Sequence, residues 1–412
     1  MIVVDSRKKW LKKYRYRNME IDSVELKALV VSRGLKVDKE VYRRFSETHR
    51  LDMNPLTCNC FLLSDGTIVQ LTDMGFHLKY LSGILSWSNL KLLRYASQLQ
   101  TPFSLRLYEN APALFCSDEY VDTVSLPPRT DFYRQKTSSG CRFVGNAVLQ
   151  GLDWVSFQCL WTCEYAAAGK PCEFCFSGSD FEALARKKKS LPAALKAADV
   201  VEIVKYALEK VRTTNIQITG GSTFNGVSEA AYIRSYLEAI AAEPARKERI
   251  EELLLYITPP KDATLIDTYF ELGASRIACS LELWNLELAR HVTPGKIVYT
   301  TRERHLDILT YTAEKYGASK AFSNFIIGIE PFESLRAGAT ELAKRGILPA
   351  ASVWMPMGRP VCGSMTPPEL DYYQRVKELF ANLYVKYGLV PPATRGLNVC
   401  IESDIWKYAH AT

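Results

Sequence analysis

Four of the eleven cysteines lie within seventeen residues, in the segment CLWTCEYAAAGKPCEFC, as Cys159, Cys163, Cys172 and Cys175. In the Cys-x-x-Cys pair of Cys172 and Cys175, the two intervening residues turn the chain so that both thiolates reach one metal centre. A third thiolate, from Cys163 or Cys159, would complete a three-cysteine site. Three cysteines on a [4Fe–4S] cluster leave one iron open to a small molecule. The alternative is a closed tetrathiolate zinc site with a structural role.

The other seven cysteines show no further metal-binding spacing and are interpreted as buried or incidental thiols. The N-terminal residues lack the apolar stretch and cleavage site of a signal peptide, which predicts a cytoplasmic protein with reduced thiols. No run of about 18 apolar residues occurs, so no transmembrane helix is expected.

The net charge of +7 is concentrated in residues 1–17, which hold seven Lys and Arg residues against one acid and account for +6 of it. The remaining chain is almost neutral, which argues against a protein built around a nucleic-acid surface. The basic arm, a solvated or frayed terminus in the simplest interpretation, could still touch RNA or an acidic lipid.

Six apolar runs alternate with helical stretches through most of the chain. The predicted strands are 154–158, 215–219, 253–258, 276–281, 321–329 and 348–355. Their near-continuous apolar character is typical of parallel strands buried on both faces. The predicted helices are 197–211, 230–242, 263–272, 302–316, 331–345 and 368–387. This alternation predicts an α/β fold with a partial (β/α)6 TIM-like barrel, whose chemistry lies at the C-terminal ends of the strands.

Residues 1–150 read as an α+β N-terminal region, with a β-hairpin in 59–72 that turns at Asp65-Gly66 and helical pieces near 24–32 and 87–99. The predicted domains are 1–150 with the basic arm, 151–360 for the barrel, and 361–412 as a C-terminal helical extension.

Polar residues follow several of the predicted barrel strands. They are Gly220, Gly221, Ser222 and Thr223 after the second strand, Ser280 and Glu282 after the fourth, and Asn324, Gly328 and Glu330 on the fifth. Paired glycines let the backbone approach a ligand, and carbonyl and hydroxyl groups can hold an amino group. Glu282 and Glu330 could equally be helix N-terminal carboxylates, and His291 and His305 are expected to be ordinary surface or core residues.

Over residues 150–360 the chain resembles the radical S-adenosylmethionine (SAM) superfamily. The resemblance lies in three features: a strand that leads into a cysteine loop, Gly-Gly after the next strand, and a fifth strand similar to G-x-I-x-G-x-x-E. The resemblance implies one [4Fe–4S] cluster whose open iron is chelated by SAM. One electron from the cluster would cleave SAM reductively to a 5′-deoxyadenosyl radical that abstracts hydrogen from a substrate. A reductant such as flavodoxin or ferredoxin is implied as partner, and Arg186 to Lys189 could form its docking patch.

The sequence departs from the usual family motif C-x3-C-x-Φ-C (Φ aromatic) in two places. The spacing before Cys172 is eight residues from Cys163 or twelve from Cys159, and Cys163 is favoured as the first metal ligand. Gly-Gly-Ser-Thr replaces the usual Gly-Gly-Glu, so Ser222 or Thr223 would hold the SAM amino group by neutral hydrogen bonds.

The resemblance also implies the other contacts with SAM. Phe174 and the Gly328 strand, including Asn324, would lie along the adenine, and Gly220 and Gly221 along the methionine part. Ser280 or Glu282 would take the ribose or the carboxylate.

A radical SAM enzyme acting on a small metabolite is the first hypothesis for function. The alternatives are modification of tRNA or a protein docked by residues 7–17, and a non-enzymatic zinc-binding protein. The sequence leaves the substrate, a role for cobalamin and the fate of SAM open.

Overall fold

The computed structural model describes residues 12–48, 60–71, 101–128, 130–175, 194–243, 249–355, 362 and 365–411. Within these residues no helix has the length and apolar character needed to cross a membrane.

In the described residues of the N-terminal part, two helices are combined with three small sheets. Its elements are β1 (Lys13–Tyr16), β2 (Met19–Asp22), α1 (Ser23–Arg33), β3 (Lys36–Val37), α2 (Lys39–Thr48), β4 (Cys60–Leu62), β5 (Ile68–Gln70), β6 (Phe103–Tyr108), β7 (Ala111–Cys116) and β8 (Glu119–Thr123). β1 pairs with β2 and β4 with β5, and the four-stranded sheet has the order β3-β6-β7-β8. Helix α1 begins with a capping box, because Asp22 accepts the backbone N–H of Glu25 while Glu25 accepts that of Asp22.

The predicted hairpin in 59–72 and the helix near 24–32 are confirmed by β4–β5 and α1. Gly66 lies in the hairpin turn with a φ of +90°, a conformation that suits glycine. The helix predicted near 87–99 lies outside the described residues.

The basic arm differs from the frayed terminus of the simplest interpretation. Lys13–Tyr16 is a strand in which Tyr14 and Tyr16 are buried, and Lys12 binds the carboxylate of Asp122 at 2.6 Å. Alternating tyrosines give this basic segment one apolar face, and that face packs into the core. Residues 1–11 lie outside the described part of the chain.

The main sheet has seven strands in the order β15-β14-β13-β12-β11-β10-β9. They are β9 (Ala147–Gln150), β10 (Trp154–Leu160), β11 (Asn215–Gly220), β12 (Glu252–Tyr256), β13 (Arg276–Ala278), β14 (Ala321–Ile327) and β15 (Leu348–Val353). Neighbours from β10 to β15 are parallel, and β9 adds an antiparallel edge that the sequence did not reveal. The six parallel strands confirm the partial (β/α)6 barrel.

Helices alternate with these strands as predicted. They are α3 (Glu164–Ala167), α4 (Ala197–Tyr206), α5 (Val227–Ala241), α6 (Thr264–Glu271), α7 (Leu286–Val292), α8 (Arg302–Tyr316), α9 (Phe332–Lys344), α10 (Leu370–Tyr387) and α11 (Glu402–Ala411). A π-helical turn extends α4 over Ala207–Val211, and another precedes α8 over Lys296–Thr300. The second of these turns brings a lysine to the site described below.

The C-terminal segment covers two borders of the sheet. Thr394 accepts the indole N–H of Trp154, the first residue of β10, and Arg276, the first residue of β13, donates to the carbonyl of Val390. Cys400 forms an antiparallel bridge with Ser352 along the edge strand β15. The opposite border, formed by the C-terminal ends of the parallel strands, is left for the cavity.

Candidate functional site

A cavity of about 160 Å³ opens at the C-terminal ends of β10 to β13. Its lining combines thiols, glycines, carboxyl groups and one ammonium group. The residues are Cys163, Ala166, Pro171, Cys172, Phe174, Cys175, Thr219, Gly220, Gly221, Ser222, Glu229, Tyr256, Ile257, Thr258, Ala278, Ser280, Glu282 and Lys296. The cavity therefore lies where the alternation of strands and helices predicts the chemistry.

The cysteine loop is held by backbone hydrogen bonds at both of its ends. Cys163 is the N-cap residue of α3, and its carbonyl accepts the N–H of Ala167 at 3.0 Å. At the other end, the N–H of Cys175 donates to the carbonyl of Cys172 at 3.1 Å, which closes the Cys-x-x-Cys turn. Glu173 donates its N–H to a carbonyl of α7 at 2.8 Å. The loop brings the three thiols to one cavity.

Cys159 lies in different surroundings from these three cysteines. Its side chain is 1% exposed, belongs to the main hydrophobic core and does not line the cavity. Burial raises the pKa of its thiol to about 12.

The two glycines pack against the cysteine loop. A Cβ on Gly221 would lie 1.9 Å from the carbonyl oxygen of Thr162 and 2.7 Å from the backbone nitrogen of Cys163. A Cβ on Gly220 would lie 3.0 Å from the sulfur of Cys159. Because the N–H of Gly221 also donates to the carbonyl of Leu160 at 3.0 Å, this turn sets the height of the cysteine loop over β11.

Ser222 and Thr223, which follow the glycines, have different roles. Ser222 lines the cavity, and its carbonyl accepts the N–H of Glu164 at 2.8 Å. Thr223 is fully buried and does not line the cavity. Its hydroxyl oxygen accepts the N–H of Gly226 at 2.9 Å, and its own N–H donates to the Thr258 hydroxyl at 3.0 Å. Of the two predicted amino-group contacts, the structure brings only Ser222 to the cavity.

Ser280 and Glu282 meet a lysine that the sequence analysis did not identify. The Nζ of Lys296 donates to the Ser280 carbonyl at 2.5 Å and lies 3.0 Å from Oε1 of Glu282. Burial lowers the pKa of Lys296, but Glu282 and Cys172 outweigh it and raise that pKa above its ordinary value. The Oε2 atom of Glu282 is buried without a hydrogen-bond partner among the described residues. Two residues that line the cavity therefore hold a carboxylate and an ammonium group side by side.

Glu229 is a second cavity residue that the sequence analysis missed. It is the third residue of α5, where acidic residues are common, so sequence alone gives no sign of a site. Its carboxylate accepts the backbone N–H of Thr258 at 2.7 Å and the hydroxyl of Thr258 at 3.2 Å. Burial raises the pKa of Glu229 to about 8.

The predicted adenine contacts divide between the cavity and the neighbouring core. Phe174 lines the cavity and packs against a small apolar cluster that contains Trp354. Asn324 and Gly328 do not line the cavity. Asn324 accepts the hydroxyl of Ser352 at 3.0 Å, and Gly328, with a φ of +103°, donates its N–H to a tyrosine hydroxyl of α10.

Glu330 supports the start of α7. Its carboxylate accepts the N–H groups of Trp284 and Asn285 at 2.9–3.1 Å, and burial raises its pKa. This is the helix N-terminal role that the sequence analysis considered as the alternative for Glu330.

The histidines have the ordinary roles expected of them. His305 is buried, its Nδ1 lies 2.7 Å from the Thr301 carbonyl, and burial lowers its pKa to about 3. His291 is exposed at the end of α7. The basic run Arg186 to Lys189 lies outside the described residues.

The three thiols of the cavity are a donor set that suits an iron–sulfur cluster. Among the described residues, no three His, Cys, Asp or Glu side chains are gathered closely enough to hold one metal ion. Thiolates on a [4Fe–4S] cluster bind different irons and so lie farther apart than ligands of one ion. In this chain three thiols line one cavity, and the Gly221 turn is closed against their loop.

Comparison with known proteins adds one curated relative, and no family model matches the chain. The bacteriochlorophyllide c C-7(1)-hydroxylase of Chlorobaculum limnaeum is 27% identical over 265 residues, which are 61% of this chain and 65% of that protein. The chain thus spans slightly less than two thirds of the relative's length.

Solved structures with partial similarity have TM-scores below 0.5. HydG, a maturase of the [FeFe]-hydrogenase, has a TM-score of 0.42 at 14% identity, over 57% of this chain and 51% of that chain. Methylornithine synthase (PylB) has a TM-score of 0.37 at 15% identity, over 61% and 76%. A radical SAM methyltransferase from Sphaerobacter thermophilus has a TM-score of 0.39 at 13% identity, over 80% and 92%.

Three observations on this chain bear on its family. A strand leads directly into a loop whose three cysteines line one cavity, Gly-Gly on the next strand packs against that loop, and six parallel strands form the partial barrel around them. This is the arrangement that the sequence resemblance to the radical SAM superfamily predicts for residues 150–360.

Proposed function

We propose that the chain binds one [4Fe–4S] cluster through Cys163, Cys172 and Cys175, binds SAM beside it, and abstracts hydrogen from a small-molecule substrate. One observation carries the proposal: these three thiols line a single cavity at the C-terminal border of the barrel, whereas the thiol of Cys159 lies in the core. When bound, the cluster and SAM together supply a hydrogen-abstracting radical, for which one external electron is needed.

The residues of this chain bind and orient the two groups. The Gly221 turn holds the cysteine loop at a defined height above β11. Burial raises the pKa of Cys172, and the nearby Lys296 ammonium group opposes that rise, so the same ammonium group would offset part of the negative charge of a bound cluster. Ser280, Glu282 and Lys296 then form the polar wall for the ribose and the carboxylate of SAM.

A small-molecule substrate is favoured over a macromolecule. The curated relative is named for a bacteriochlorophyllide rather than for a nucleic acid or a protein. Lys12 is already paired with Asp122, and Arg17 lies 3.7 Å from Glu369, so these two basic residues are engaged within the fold. A one-electron donor such as flavodoxin or ferredoxin is the proposed protein partner. The cytoplasmic location and the three-domain division remain predictions of the sequence.

Replacing single cysteines in protein purified without oxygen tests the ligand assignment. We expect brown wild-type protein with iron and sulfide, and loss of most of the iron in C163A and C172A. C159A is the matched control, because it removes a thiol from the same loop region but from the core, and it should keep its iron.

Two results would contradict the proposal. Iron lost in C159A but kept in C163A would reverse the choice of first ligand. A colourless wild-type protein loaded with zinc would replace the cluster by the structural zinc site.

A further inference from the structure

Glu229 places a carboxyl group in the cavity wall. The residue is 4% exposed and lines the cavity. Both carboxylate oxygens accept hydrogen bonds from Thr258, one from its N–H and one from its hydroxyl. Each oxygen keeps a further acceptor position, since a carboxylate has about four in total.

No described cation offsets the charge of this carboxyl group. The charged group that acts on its ionisation is Glu164, another acid, and its other titratable neighbours are Cys159, Tyr269 and Cys279. The lysine of the cavity, Lys296, is paired with Glu282 instead. A buried carboxylate without a cation is costly, which is why burial raises the pKa of Glu229. A ligand that brings a cationic donor group here stabilises the ionised form through a charge-assisted hydrogen bond.

The neighbouring residues leave this role open. Ser222 offers the cavity only neutral groups, and its carbonyl is already bonded to the N–H of Glu164. Thr223 does not reach the cavity, because its hydroxyl oxygen is bonded to Gly226. Glu229 is linked to the segment after the Gly-Gly turn, because its carboxylate accepts the Thr258 hydroxyl, and that hydroxyl oxygen accepts the N–H of Thr223.

We infer that Glu229 is the acceptor for the amino group of SAM, and so supplies from α5 the carboxylate that is missing after Gly221. This inference rests on the proposed function, because it assumes that the cavity binds SAM. The competing role for Glu229 is a purely structural one, in which its carboxylate joins α5 to the loop after β12.

The glutamine variant separates the two roles. In E229Q the side-chain carbonyl can still accept the Thr258 N–H, and the amide can donate to the Thr258 hydroxyl, so the structural bonds are kept while the charge is lost. Equilibrium dialysis of SAM against cluster-loaded protein, without oxygen, should give a Kd about tenfold to a hundredfold above wild type. Iron content and thermal midpoint should stay as in the wild type.

The matched control is E238Q, which makes the same change on the same helix at an exposed residue paired with Arg234. Its Kd for SAM should equal that of wild type. A SAM analogue with hydrogen in place of the amino group adds a second arm. Wild-type protein should bind this analogue more weakly than SAM, and the difference in affinity between SAM and the analogue should be smaller in E229Q. The reason is that removing the amino group and replacing Glu229 eliminate the same interaction.

Each outcome has a distinct meaning. An E229Q protein that keeps its cluster and binds SAM as tightly as wild type overturns the inference and leaves the proposed function intact. Wild-type protein with a full cluster but no SAM binding overturns the proposed function, and the inference with it. If E229Q loses stability, E229D provides the measurement, because it keeps the acid but withdraws it by one methylene. An unchanged Kd in E229D would also overturn the inference.

Discussion

Adding one methyl group at Gly221 is expected to prevent cluster binding. The new Cβ would lie 1.9 Å from the Thr162 carbonyl oxygen, 2.4 Å from the carbonyl carbon and 2.7 Å from the Cys163 nitrogen. Because these are backbone atoms, no side-chain rotation can relieve the contact. Restoring even a tight separation of about 3 Å requires the cysteine loop to move by about 1 Å. Metal–ligand distances normally lie within about 0.2 Å of their standard values, so a shift of this size is expected to disturb the ligand geometry.

The assay is iron and sulfide content, with visible absorbance, after reconstitution of G221A without oxygen. We expect little bound cluster and a stability loss of about 1–3 kcal/mol, the usual cost of overpacking. The control is G169A, in the same loop. Its new Cβ meets nothing within 4 Å, and its φ of +73° adds only backbone strain of roughly 1–2 kcal/mol. Full cluster content in G221A would refute the reasoning that this turn sets the position of Cys163.

Two further predictions concern stability. The ammonium group of the fully buried Lys27 lies 2.7 Å from Asp404 and also donates to the carbonyls of Leu397 and Cys400. Because K27M leaves the Asp404 carboxylate buried without its partner, it should lower the free energy of unfolding in urea by about 3–5 kcal/mol. The control is R345A, which breaks the partly exposed pair with Glu341 and should lower the free energy of unfolding by less than about 1 kcal/mol. Equal losses of stability in K27M and R345A would contradict the prediction. Burial raises the pKa of Glu402 to about 7. The carboxyl group of Glu402 therefore holds its proton more tightly in the folded protein than in the unfolded chain. The folded protein loses stability as the pH rises from about 4.5 to 7, because this proton is then released. Between pH 5 and pH 8 this release should lower the free energy of unfolding of the wild type by on the order of 3 kcal/mol, and E402Q should not show that decrease. The same pH dependence of urea unfolding in E402Q and in the wild type would contradict this assignment.

Local patterns were sufficient for the barrel. The strands predicted at 215–219 and 321–329 are found at Asn215–Gly220 and Ala321–Ile327, and the helix predicted at 302–316 is found with those bounds. Burial on both faces makes each parallel strand a continuous apolar run, which is visible in the sequence without knowledge of its neighbours. The antiparallel edge strand Ala147–Gln150 has no such run and was missed.

The site was predicted only in outline, because strand ends do not reveal which way a side chain faces. Ser280 and Glu282 reach the cavity, whereas Asn324 and Thr223 form hydrogen bonds within the fold. Cys159 and Cys163, four residues apart, lie in the core and at the cavity respectively. These outcomes depend on the packing of the loop after β10, which no local pattern encodes.

By itself, the sequence predicted the type of chemistry, because clustered cysteines after a buried strand are a local feature of the chain. Tertiary structure alone decided which charges surround that chemistry. Lys296 comes from a π-helical turn more than a hundred residues after the cysteine loop, and Glu229 from an otherwise ordinary first turn of a helix. Their roles arise because parallel strands bring the ends of distant segments to one border of the sheet, where burial gives each charge its effect.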